Sequence, residues 1–166
     1  MLQYDIKNFK MKTYFDATRG FYASEETPRT FLEGCLEQIN AREPEIKAFV
    51  TLQPDEARRL ADKSTQRWAN NQQLSVIDGM PIGIKDLLET SDMPTQMGCE
   101  AYKGFSPGND NALVSALRNA GAIILGKTVT AELGGSHPGP TKNPFDLERT
   151  PGGSSCLLYT SPSPRD

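Results

Sequence analysis

The chain has 166 residues, 37% of them hydrophobic and 23% charged, with a net charge of -3. That composition suits one folded domain rather than a disordered tail, and it leaves no electrostatic footprint for nucleic acid. No apolar run approaches the roughly 20 residues of a membrane span, and Asp5, Lys7, Lys10, Lys12 and Asp16 do not make a secretory leader, so a cytoplasmic location is expected.

Residues 1–26 are mixed and weakly patterned and read as an N-terminal extension. Thr27-Pro28 starts a helix, a hydroxyl N-cap followed by Pro at the first helical position. Leu32, Cys35, Leu36 and Ile39 follow at helical spacing. Ala48–Leu52 has the length and content of a short strand. Pro54 opens a second helix to about Asn70, with Ala57, Leu60, Ala61, Ser64 and Trp68 on one side. Gly79–Ile84 reads as a buried strand running into Lys85-Asp86. Residues 90–110 are loop-rich. Asp110 is placed to cap a helix over 111–120, which Gly121 ends. Ala122–Leu125 is apolar enough for a central strand covered on both faces, as is Pro81–Ile84. The succession predicts an α/β layer with helices over a sheet.

Three cysteines, Cys35, Cys99 and Cys156, are too few and too scattered for a disulfide framework or a zinc site. Cys35 lies on an apolar helical stripe and is expected in the core. Gly121-Ala122-Ile123-Ile124-Leu125-Gly126-Lys127-Thr128 spells G-x-x-x-x-G-K-[ST]. A phosphate-cradling loop must follow a strand and open a helix, whereas here the helix comes first and the middle is strand-like, so nucleotide binding is rejected.

Lys85 stands at a predicted strand end. A buried amine there favours its neutral form and can act as a general base; a surface lysine paired with Asp86 satisfies the same spacing. Gly152-Gly153-Ser154-Ser155 lets the backbone bend and approach another group closely, which an ordinary turn also does. His137, the sole histidine, sits in a Gly/Pro-rich loop and on its own carries no chemical role.

The order and spelling of four segments add to this. Gly79-Met80-Pro81-Ile82-Gly83-Ile84-Lys85-Asp86, Ala120–Thr128, Gly139-Pro140-Thr141-Lys142-Asn143-Pro144 and Thr150-Pro151-Gly152-Gly153-Ser154-Ser155 resemble the amidase-signature hydrolases. Asp92-Met93-Pro94-Thr95 and the helix over 111–120 fall where such proteins have similar segments. The resemblance covers residues 27–155. It implies a mixed β-sheet core wrapped by α-helices, incomplete in this chain, and hydrolysis of a carboxamide C–N bond by a Ser-Ser-Lys triad. Lys85 would be its general base. Ser154, after a cis peptide bond, would be its bridging serine. Gly134, Gly135 and Ser136 would line the acyl pocket. The nucleophilic serine and its oxyanion hole would lie beyond the end of this chain, leaving the fragment inactive.

The resemblance implies no cofactor and a small-molecule amide substrate; the charge balance, the few cysteines and single histidine and the lack of a long apolar run add the expectation of no metal and no direct contact with nucleic acid or membrane. The oligomeric state stays open. Two other uses of the same scaffold remain: the glutaminase-type subunit of a tRNA-dependent amidotransferase, and a non-catalytic protein. Residues 156–166 lose all pattern and read as a non-native tail.

Overall fold

The computed structural model describes residues 12–135 and 137–152, and in chain order forms α1 (Tyr14–Ala23), α2 (Pro28–Ile46), β1 (Phe49–Leu52), α3 (Pro54–Ala69), β2 (Pro81–Lys85), α4 (Ala112–Asn119) and β3 (Ile123–Thr128). The sheet order is β1-β3-β2, with β1 antiparallel and β2 parallel to β3. The parallel pair needs a crossover, which residues 86–122 supply through α4.

β3 is the buried middle strand. Ile123 and Leu125 face α2 and α3, where Leu32, Leu36, Ala57 and Ala61 form one core. Ile124 faces the other way, onto Ile84, Met93 and Val114. This mixed sheet between helices is the architecture expected from the sequence. Pro81–Ile84 is not central, however. β3 uses one edge for β1 and the other for β2, so among the described residues β2 is an edge strand, and Gly83 on it is exposed.

Three further differences have local causes. The weakly patterned start contains α1. Thr13 and Asp16 form a capping box, and Ala17 and Phe21 are buried one turn apart. The Phe21 ring meets the Trp68 ring edge-on at 5.2 Å, joining α1 to α3. Asn111, not Asp110, caps α4, accepting the Val114 N–H at 2.9 Å. The Asp110 carboxylate is already taken by the Ser91 N–H at 2.7 Å and lies 3.0 Å from Arg118. β3 also runs on through Gly126-Lys127-Thr128.

That extension carries a bulge. Ile82 pairs with Ile124 and Gly83 with Gly126, leaving Leu125 as the extra residue. A bulge re-aims the side chains after it. Lys127 consequently falls on the same side as Ile124 and Ile84, opposite which it is registered.

Candidate functional site

Lys85 is the last residue of β2 and is half-buried. Ile84 faces the α4 side, so strand alternation puts Lys85 on the opposite face with Gly83. A Cβ on Gly83 would run into Thr128 Cγ2 and approach the Phe49 ring, so only glycine lets β2 pass this close. The chain turns directly after Lys85, whose carbonyl accepts the Leu88 N–H at 2.9 Å.

Asp86 returns to the Ile84 side and is fully buried. Its carboxylate lies 3.1 Å from Lys127 Nζ, and both its oxygens are 3.2 Å from the Gln96 N–H. Asp86 is thus not the exposed partner of a surface Lys85; its charge is matched inside the fold by Lys127. The Lys127 side chain has no exposed surface. Its ammonium donates to the Pro94 carbonyl at 3.0 Å and to Thr95 Oγ1 at 2.8 Å. With Asp86 these make three acceptors for its three N–H bonds. The lysine of the phosphate-loop spelling is therefore part of a strand and spent on a buried ion pair.

Gly134 ends a 3₁₀ turn over Glu132–Gly134, and Gly135 follows it. Leu133 and Gly134 are both left-handed, at φ 49° and 73°. The Gly134 N–H donates to the Ala131 carbonyl at 2.9 Å and the Gly135 N–H to the Glu132 carbonyl at 2.8 Å. These amides close the turn, so what the two glycines offer a ligand is close backbone approach rather than spare donors. A Cβ on Gly134 would lie 3.0 Å from Leu87 Cδ1. The structure therefore brings Gly134 beside the segment that follows Lys85. Ser136, Ser154 with the peptide bond before it, and Ser155 lie outside the described residues, as do Cys156 and the tail.

His137 is exposed and lines a shallow groove with Phe49, Val50, Val129, Thr130 and Pro138. Cys35 is half-buried rather than in the core, because Leu32 and Leu36 take the inner positions of α2. Burial raises its thiol pKa, and the charge of Glu26 adds to the rise. Among the described residues no group of three or more His, Cys, Asp or Glu side chains could hold a metal ion, and no helix is long and apolar enough to cross a membrane. Motif spelling and periodicity do not single out Asp86, Thr95 and Lys127 as a unit. The available signal was a lysine inside an apolar strand, which must find a buried partner.

The family model described as Amidase matches residues 30–156. Among curated proteins, a glutamyl-tRNA(Gln) amidotransferase subunit from Chloroflexus aggregans is 40% identical over 139 residues, 80% of this chain and 28% of that protein. The corresponding glutamyl-tRNA(Gln) amidotransferase subunit from a Cyanothece species is 36% identical over 139 residues, again 80% of this chain and 29% of that one. Among solved structures, native peptide amidase from Stenotrophomonas maltophilia superposes with a TM-score of 0.76 at 30% identity, covering 84% of this chain and 31% of that one. A bacterial aryl acylamidase of the amidase-signature enzymes gives a TM-score of 0.76 at 27% identity, covering 87% and 31%. The chain thus spans less than a third of the length of these relatives.

Proposed function

Since the chain belongs to the amidase family, we propose that the whole protein hydrolyses a carboxamide C–N bond with Lys85 as general base. The observation that carries this is the position of Lys85. It ends a strand that runs parallel to β3, with the Gly134 turn packed against Leu87 just beyond it. In open α/β sheets, ligands bind outside the carboxyl ends of the strands. As general base, Lys85 would take the hydroxyl proton of Ser154, which in turn takes that of a nucleophilic serine further along the protein. The nucleophile's oxygen would bond to the amide carbon, the C–N bond would break, and the amine would leave with the proton. Water would then release the acyl group. The Gly134-Gly135 turn would border the acyl side.

A second reading is favoured by the names of the relatives at 40% and 36% identity. On that reading the same residues would free ammonia from a glutamine side chain, for a partner subunit that modifies charged tRNA.

The test is amide hydrolysis by the full-length protein. Lys85→Ala should lower kcat/KM by about 10²–10⁴-fold, the usual cost of losing a general base. Near wild-type turnover in that variant would overturn the assignment. Hydrolysis of simple carboxamides by the protein alone supports the first reading. Glutamine hydrolysis that requires partner subunits supports the second. Silence under both conditions would leave a non-catalytic use of the scaffold.

A further inference from the structure

The geometry points to the buried Asp86–Lys127 pair as a positioning device that holds the Lys85 strand end and the Gly134 turn in one fixed relation. This rests on the reading of Lys85 as general base, and it goes further in naming what aims that base.

The residue after Lys85 is held from several directions. The Asp86 N–H donates to the Thr128 carbonyl at 3.0 Å, tying the end of β2 to the end of β3. The Asp86 carbonyl accepts the Met97 N–H at 3.0 Å. The carboxylate takes Lys127 and the Gln96 N–H. The backbone that sets the direction of Lys85 is thereby fixed to both β3 and the 94–97 segment.

The network continues to the other half of the candidate site. Lys127 holds Pro94 and Thr95 by their oxygens. Two residues on, Met97 is left-handed at φ 58°, and its carbonyl accepts the Leu133 N–H at 2.8 Å. Leu133 is itself left-handed and leads directly into Gly134 and Gly135. Left-handed conformations at Met97 and Leu133 cost energy and persist only where the surroundings over-determine them. Gly98 packs so closely on the Thr130 carbonyl that a Cβ would not fit, which fixes the approach of the two segments. Hydrogen bonds thus run from Asp86, next to Lys85, to Met97 and from Met97 to Leu133, the residue before Gly134, while Lys127 braces the same 94–97 segment through Asp86, Pro94 and Thr95.

Sheet stability alone does not call for a buried ion pair here, since apolar residues of similar volume serve as well or better. An ion pair with directed hydrogen bonds adds fixed orientation. Catalysis is sensitive to such orientation: a misplacement of about 1 Å can cost on the order of 10²-fold in rate.

The test compares Asp86→Leu/Lys127→Met, which removes both charges together, with the milder Thr95→Val, which removes one hydrogen bond to Lys127. Both are made in the full-length protein, and kcat is expressed per active site titrated by the acyl-enzyme burst. The double variant should stay folded and lose about 10²-fold in kcat while KM moves less than about threefold. Thr95→Val should show the same split on a smaller scale. Wild-type kcat per titrated site in a folded double variant would overturn the proposal. If the double variant does not fold, Thr95→Val decides by the same criterion. Lys85→Ala, run in parallel, separates the two ideas. If it keeps activity, the reading of Lys85 fails; if it loses activity while the pair variants keep theirs, only the positioning role fails.

Discussion

Asp78 has no exposed surface, yet it ties together three parts of the chain. Its carboxylate accepts Arg67 Nε at 2.7 Å and the Leu74 N–H at 2.9 Å, and its carbonyl accepts Trp68 Nε1 at 2.9 Å and the Tyr14 hydroxyl. Burial pushes the carboxyl pKa up, but the Arg67 guanidinium and the Leu74 N–H outweigh it and hold it below the usual carboxylate range. The unfolded chain therefore binds the proton more readily than the folded one. The pair's contribution is present above the unfolded value of about 4 and is lost as pH falls through the lower folded value. Arg67→Met leaves the buried carboxylate without its cation and should cost about 3–5 kcal/mol at pH 7. The gap between wild type and variant should narrow in urea titrations at pH 3. An equal cost at both pH values would mean the carboxylate is not what Arg67 stabilises. Lys127 gives a second expectation at this scale. With all three N–H bonds spent on protein oxygens it has none for a phosphate, so equilibrium dialysis with labelled ATP or GTP should detect no binding that Lys127→Ala abolishes.

At the scale of elements, end signals were easier to read than side-chain pairings. Thr27 accepts the Thr30 N–H at 3.1 Å while Thr30 Oγ1 accepts the Thr27 N–H at 2.9 Å, and Thr27→Ala should cost about 1 kcal/mol, measurable as a lower urea midpoint. That cap, with Pro at the first helical position, made α2 legible; Pro54 and the Ala57, Ala61, Ser64 and Trp68 spacing did the same for α3. α1 was not legible because its apolar residues are not confined to one face: Phe21 is buried while Phe15 and Tyr22 are 71% and 73% exposed. At Asp110-Asn111 both residues are good caps, and the choice fell to Asn111 because a distant N–H, that of Ser91, had claimed the aspartate. The strand end at Lys85 and a turn at Gly134-Gly135 could be read from local spelling, while the roles proposed for them come from the family resemblance. The Asp86–Lys127 pair could not, because it depends on a strand register and a bulge that periodicity does not encode. Gly126, next to that bulge, has no room for a side chain: a Cβ would run into the Thr51 carbonyl oxygen. Gly126→Ala should therefore destabilise by roughly 1–3 kcal/mol through forced separation of β1 from β3.

For the molecule as a whole, the question is whether residues 1–166 stand alone. β3 has both faces and both edges covered, but β2 offers a free edge among the described residues, and its Gly83 is exposed. An unpaired strand edge is a template for association with another chain. Large apolar side chains are also uncovered, with Val76 85% and Leu133 58% exposed in addition to Phe15 and Tyr22. The related solved chains are about three times as long, at 31% coverage. A complete domain is stable by only about 5–15 kcal/mol. Leaving a few large side chains in water forfeits roughly 1.5–3 kcal/mol each. Residues 1–166, produced alone, should therefore aggregate or remain loosely packed, with exposed apolar surface that binds hydrophobic dyes. They should also be silent toward small amides: on the proposed mechanism Lys85 and Ser154 pass a proton, and the serine that would use it lies further along the whole protein. A soluble monomer with one cooperative thermal transition would contradict the first expectation. Amide hydrolysis above background that disappears in Ser154→Ala would contradict the second.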